Sequence, residues 1–176
     1  MSIPQWYAGQ VITADRLNAR NAYVVVQNAD QASTNTSFQQ SEIVVTFEPG
    51  AVYQYQCLIA YTADHDNDFK WNWGGNDVNL SSFTQAMGTG SNTGHNADRP
   101  VIFRRPGNST TRIAGGTSDL PSTDVFQSAY DWGTLTTGSG TPTLVLQFGK
   151  LSNTQSGLDT ILRGGNQTRF VYQRIA

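Results

Sequence analysis

Apolar and polar residues alternate with a period of two along most of this chain, a pattern that predicts β-strands. The clearest case is residues 52–61, where positions 53, 55, 57, 59 and 61 are all apolar or aromatic. Residues 42–48 repeat the pattern, with Ile43, Val45 and Phe47 on one face. Further strands are predicted over 22–27, 69–73, 101–105, 124–137, 143–148, 158–162 and 168–175.

Turn signals separate these segments, among them Pro49-Gly50, Pro106-Gly107 and Gly138-Ser139-Gly140. Residues 28–41 are polar and turn-prone, and residues 76–98 are predicted to form a long surface loop with at most one short strand. Short strands at close spacing bury their apolar sides when two sheets pack face to face. We therefore predict an all-β fold, a β-sandwich of the jelly-roll type.

Residues 1–20 precede the first strand, and we predict a docking arm over 1–20 followed by a sandwich domain over 21–176. Thr13 suits the N-cap of one short helical turn. An apolar segment too short to form its own core must dock on something, either its own domain or a neighbouring subunit. The arm residues predicted to make that contact are Trp6, Tyr7, Val11, Ile12 and Leu17.

The composition of the chain argues against some classes of function. Charged residues make up 14% of the 176 residues and the net charge is −2, which argues against a nucleic-acid partner, since such proteins present a basic face. No apolar run reaches the length of a membrane span. The N-terminus lacks a signal-peptide pattern, so we expect the protein to be made in a cytoplasm and either to stay there or to leave by lysis. The lone cysteine, Cys57, lies on a predicted core face and is expected to be a buried packing residue.

The acidic run at 64–68 resembles the start of an EF-hand loop. The sixth and twelfth positions are Phe69 and Gly75, where that loop needs glycine and glutamate, so the EF-hand interpretation fails. A solvated loop is the simpler expectation, and a looser Ca²⁺ site at a subunit junction is the alternative. No nucleophile elbow, phosphate loop or paired-carboxylate pattern is present, so we predict no catalytic residue, cofactor or metal site.

A basic stretch follows at Arg99, Arg104, Arg105 and Arg112. We predict that it forms a solvated strand edge, because edge charges prevent wrong strand pairing. In the alternative, it meets an acidic loop of a neighbouring subunit and sets the register of assembly. The charges proposed for that contact are Asp64, Asp66, Asp68, Arg104 and Arg105.

The N-terminal segment resembles the opening of small structural proteins of tailed bacteriophages, in the run Trp6-x-x-Gly9-x-x-x-Thr13-Ala14-x-x-Leu17-Asn18. Those proteins are described as minor tail, head-fibre or capsid-decoration proteins. The similarity continues in Ala29-Asp30-Gln31-Ala32-Ser33, Val45-x-Phe47, Gly50-Ala51-x-Tyr53, Asp68-Phe69-Lys70-Trp71 and Thr143-Leu144-x-Leu146-Gln147. It departs at the polar 76–98 segment and in the last strand, where Phe170 and Tyr172 stand in place of a frequent tryptophan.

The resemblance implies a virion protein without enzymatic activity that assembles as a homotrimer. Its expected partner is the major capsid protein, which it would stabilise as a cement protein through its arms. The alternative is a tail-tip, baseplate or fibre component whose outer loops contact host glycans, with Trp71, Trp73 and Trp132 as candidate sugar contacts. Core packing is the competing explanation for those tryptophans. The third class of function considered is a carbohydrate-active enzyme or a free lectin.

Overall fold

The computed structural model describes residues 8–11, 13–14, 21–88, 100–106, 108–117, 127–153 and 159–176. These residues form β-strands and connections, which confirms the predicted all-β sandwich, and none of their helices is long and apolar enough to cross a membrane. The strands are β1 (Tyr23–Val26), β2 (Gln31–Ser33), β3 (Gln39–Thr46), β4 (Val52–Thr62), β5 (Phe69–Asn76), β6 (Val78–Met87), β7 (Pro100–Pro106), β8 (Arg112–Ala114), β9 (Gln127–Thr137), β10 (Thr143–Lys150), β11 (Thr160–Leu162) and β12 (Arg169–Arg174).

The strands form two antiparallel sheets. The large sheet has the order β1-β12-β4-β9-β6-β7, and β11 joins it by pairing with β4 and β2. The small sheet has the order β3-β10-β5-β8. Strands that are distant in sequence are therefore neighbours in space, so both sheets depend on contacts made late in the chain.

The core lies between the two sheets and follows the predicted alternation. In β4 the residues at 53, 55, 57, 59 and 61 are all buried, and Cys57 is completely so. Ile43 and Val45 of β3 and the three aromatic residues of β5 face the same interior. Burying an apolar side chain of this size contributes about 1.5–3 kcal/mol, so these rows are the main source of stability.

Three strands were not predicted: the short β2, within residues 28–41 that were expected to be turn-prone, and β6 and β8. Residues 78–87 form the ten-residue strand β6 inside the large sheet, so the loop predicted over 76–98 is wrong for this part, and residues 89–98 lie outside the described residues. Its inward residues include Ser82 and Thr84, both fully buried. These polar residues face the interior because the core is polar at that point. As a result, the sequence of residues 78–87 shows no clear alternation of apolar and polar positions. The short strand β8, which pairs with β5, was missed for the same reason, since its first residue is Arg112.

Gly75 shows how closely the strands approach. It has a φ of 119°, and a Cβ there would lie 2.1 Å from the carbonyl oxygen of Thr143 on β10. A side chain would both strain the backbone and push β10 away. The glycine pair at 74–75, predicted to end the strand, instead lies within β5 and fixes its pairing with β10.

Candidate functional site

The described part of the predicted arm lies outside the core. Val11 is 77% exposed, and the described core residues begin at Ile43, with Val25 packed against them. The neighbouring residues that are also exposed are Ala8, Gly9, Thr13 and Ala14. The arm residues Trp6, Tyr7, Ile12 and Leu17 lie outside the described residues, as does the predicted helical turn beyond Ala14.

The arm joins the body at an aromatic cluster. Tyr23, the first residue of β1, stacks on Tyr172 of β12 with ring centroids 5.3 Å apart. Tyr172 in turn makes edge contacts with Phe47 at 5.2 Å and with Tyr53 at 5.9 Å. Such aromatic pairs add about 0.5–1.5 kcal/mol beyond their buried area. The arm therefore starts from an anchored point at the edge of the large sheet.

The acidic loop at 64–68 is organised by its own hydrogen bonds. Asp64 is buried; its carbonyl oxygen accepts from the backbone N–H of Asp68 at 2.8 Å, and its carboxylate accepts from that of Asp66 at 2.9 Å. The carboxylate of Asp68 accepts from the N–H of Gly116 at 2.8 Å. Asp66 is the carboxylate in this loop that faces solvent most openly, so an intersubunit role stays a prediction for that residue above all.

Asp64, His65 and Asp66 are the group of described residues closest to a metal-ligand set, with ligand atoms within 4.8 Å of one another. The two nitrogens of His65 lie 3.5 Å from Asp64 and 3.4 Å from Asp66, so the ring can pair with both carboxylates. Hydrogen bonds of the loop backbone hold the two aspartates, and the buried Nδ1 of His65 has no hydrogen-bond partner among the described residues.

The arginines of the predicted basic edge lie in different environments in the structure. Arg104 and Arg105 lie on β7, opposite Phe83 and Ser82 of β6, and their side chains are outside the description, so their role stays a prediction. Arg99 falls outside the described residues. Arg112 was predicted to be solvated, and that is wrong, because its side chain is completely buried between the sheets.

Arg112 belongs to a buried group that we call the Asp131 cluster: Asp131, Arg112, Tyr55, Trp71, Trp73 and Ser82. The Nε of Arg112 lies 2.7 Å from a carboxylate oxygen of Asp131, and both side chains have no exposed surface. Trp73 donates its indole N–H to the same oxygen at 2.9 Å, and Trp71 does so at 3.4 Å. The carboxylate thus links β9 of the large sheet to β5 and β8 of the small sheet.

The remaining members complete the hydrogen bonds of the cluster. Tyr55 donates its hydroxyl to the other oxygen of Asp131 at 3.0 Å. Arg112 donates to the hydroxyl of Ser82 at 2.7 Å and to the carbonyl of Thr110 at 2.9 Å. Buried charges are tolerated only when they are paired and hydrogen-bonded in this way.

Burial sets the protonation of these groups. It raises the pKa of the Asp131 carboxyl, while the Arg112 guanidinium and the Trp73 indole N–H oppose that rise. Burial also raises the pKa of the Tyr55 hydroxyl and of the Cys57 thiol. Tyr55 therefore keeps its proton at neutral pH and acts as a donor toward Asp131. No local sequence signal identified this cluster, because the aromatic neighbours Tyr130 and Trp132 make position 131 resemble an outward one.

The three candidate sugar-binding tryptophans fall on different sides of the sheets. Trp71 and Trp73 are buried, as the core-packing explanation expected. Trp132 is on the outer face of the large sheet, stacked with Phe83 at 6.1 Å and against Tyr130 at 4.8 Å. Trp132 is therefore the one of the three that an external partner can contact.

No family model and no curated protein matches the chain. Among solved structures it is similar to the VP2 subviral particle of infectious bursal disease virus, with 9% identity over 89% of this chain and 37% of that chain and a TM-score of 0.36. It is also similar to particles of a mutant VP2 of that virus, with 12% identity over 99% of this chain and 41% of that chain and a TM-score of 0.37. The chain thus spans about two fifths of the length of those VP2 chains. At these TM-scores the likeness says nothing about what this chain does.

Proposed function

We propose that this chain is a structural protein of a tailed-bacteriophage virion, a decoration protein whose copies assemble as a trimer and attach to capsid subunits through their N-terminal arms. The observation that carries this proposal is the separation of arm and core. Val11 is 77% exposed, and the described core begins only at Ile43. The sequence motifs shared with phage structural proteins support the assignment to a virion.

Burying the apolar side chains of the arm against a partner would lower the free energy. Moving a side chain such as Val11 out of water is worth about 1.5–3 kcal/mol, and this gain goes unused while the residue stays exposed. Linking three arms in one assembly makes the second and third contacts intramolecular, which raises the overall affinity without any new contact. A small domain with few charges that needs no disulfide suits such a role, because it folds before it attaches.

A tail-tip or fibre component that contacts host glycans is the second candidate. The position of Trp132 favours it, since this ring lies on the outer face beside the 40%-exposed Phe83. In that case the same body would bind cells and would not bind capsid shells.

The test compares the full chain with a chain lacking residues 1–18 on undecorated capsids. The full chain should coat the shells to a fixed stoichiometry, and the truncated chain should fold but fail to bind. Val11→Ser should weaken the coating, whereas Val44→Ser, which alters an exposed apolar residue on the body, should not. Normal coating by the truncated chain would refute the proposal, and binding to cells but not to shells would support the tail candidate.

A further inference from the structure

The outer face of the large sheet presents an aromatic and aliphatic patch to solvent. Its strands alternate inward and outward residues, and the outward apolar positions cross the sheet from β1 to β6. Phe83 is 40% exposed and Val24 is 58% exposed. We call this surface the outer face; its apolar residues are Val24, Val171, Leu58, Tyr130, Trp132 and Phe83.

Strand register brings these residues into one row. Val24 pairs with Val171, Val171 pairs with Gln56, and Gln56 pairs with Trp132. Trp132 pairs in turn with Phe83 on β6. Directly paired residues on one face of a sheet have Cβ atoms about 4.5–5.5 Å apart, so the row is continuous.

The outer face carries little charge. Arg169 is the single charged residue at the outward positions of β1, β12, β4, β9 and β6, where the other polar positions carry glutamine, asparagine, serine or threonine, and Arg104 on the edge strand β7 occupies the register position next to Phe83. The outward positions of the small sheet, by contrast, include Glu42 and Lys70. Depletion of charge together with enrichment of aromatic residues is the composition of a protein–protein interface core.

The size of the outer face also suits a protein partner. The strands β1, β12, β4, β9 and β6 have 4, 6, 11, 11 and 10 residues, and at about 3.3 Å per residue and about 4.8 Å between strands they give a footprint of roughly 670 Å². A stable interface covers about 800 Å² on each partner, so one sheet face supplies nearly what one partner needs. A short oligosaccharide would cover only a fraction of this surface.

We propose that the outer face is the surface through which copies of this chain contact one another. A face with little charge packs against a neighbouring copy with little electrostatic repulsion, and packed sheets lie about 10 Å apart with their side chains interleaved. The inference rests on the proposed function, because it supplies the contact between copies that a multi-copy decoration protein requires.

The test is the mass of the full chain in solution by light scattering over a range of concentrations. The wild-type chain should have the mass of two or three copies. Phe83→Ser and Gln56→Glu should each raise the dissociation constant about tenfold or more, the first by removing contact area and the second by placing like charges at the interface. Val44→Ser is the matched control, since Val44 is 43% exposed on the opposite sheet, and it should not change the mass. Denaturation midpoints confirm that each variant is folded.

A wild-type chain that is monomeric at every concentration would overturn the proposal, as would an oligomer that Phe83→Ser and Gln56→Glu leave intact. A monomer whose Trp132 fluorescence responds to oligosaccharides would overturn it in favour of glycan binding. The chain lacking residues 1–18 should still form the oligomer. If the wild-type oligomer forms but does not coat capsids, the proposed function fails and this inference stands.

Discussion

Replacing Arg112 with methionine should destabilise this protein more than any surface substitution, because it leaves a buried carboxylate without its cation. Arg112 and Asp131 have no exposed surface and lie 2.7 Å apart. Removing one partner of such a pair costs about 3–5 kcal/mol. A domain is stable by about 5–15 kcal/mol in total, so Arg112→Met should be folded with a much reduced margin. Denaturant unfolding followed by tryptophan fluorescence measures this loss, since Trp71 and Trp73 donate to Asp131 and report on the cluster.

Two comparisons decide whether the unpaired buried charge causes the loss of stability in Arg112→Met. Arg112→Met/Asp131→Asn should be less destabilised than the sum of the two single variants, because it buries no unpaired charge and its amide oxygen still accepts from Trp73 or from Tyr55. Arg174→Met removes a surface pair with Glu48 and should cost about 1 kcal/mol or less. Strictly additive single variants, or a loss for Arg112→Met equal to that of Arg174→Met, would refute the reasoning.

The loss of stability in Arg112→Met should also depend on pH. Without Arg112, nothing of like strength opposes the effect of burial, so the pKa of Asp131 in the folded state should rise further above its unfolded value of about 3.9. A carboxyl whose folded pKa is raised stabilises the fold fully below its unfolded pKa, and that contribution is lost as pH rises through the folded pKa. The deficit of Arg112→Met relative to wild type should therefore be larger at pH 8 than at pH 4.5. A deficit independent of pH would mean that lost packing, not charge, is responsible.

Two further predictions concern single residues. Cys57→Ser should cost about 1–3 kcal/mol by burying a hydroxyl, and more than Cys57→Ala; a neutral serine variant would mean that this position is not buried. Asp30 accepts from the N–H of Gly164, and this bond, followed by the hydrogen bond and the charge of Arg163, lowers the pKa of its carboxyl against the opposing effect of burial. Its contribution is present above the unfolded pKa and is lost as pH falls through the folded pKa, so Asp30→Asn should destabilise by at most about 1 kcal/mol at pH 7 and by less at pH 3. An equal effect at both pH values would contradict this.

The sequence predicted the fold wherever alternation was carried by apolar residues. The rows in β3, β4 and β5 were predicted correctly, including the buried positions of Cys57 and of Trp71 and Trp73. It failed at β6 and β8 because Ser82 and Arg112 occupy inward positions, and no local pattern distinguishes a buried arginine from an edge charge. The partner that makes Arg112 stable in the core is Asp131, nineteen residues later in the chain on a strand of the other sheet. Only the fold brings them together.

The Asp131 cluster and the outer face are two sides of the same strands, and this connects stability to assembly. Ser82 contacts Arg112 inside the sandwich, and the next residue, Phe83, lies on the outer face. On the neighbouring strand β9, Asp131 likewise faces the interior, and the next residue, Trp132, lies on the outer face. A buried ion pair is weak evidence of extra stability, but it fixes which strands meet and in what register. Breaking the cluster should therefore impair both folding and self-association, whereas Phe83→Ser should impair self-association alone. If Arg112→Met, once folded, self-associates as tightly as wild type, the cluster does not position the outer face.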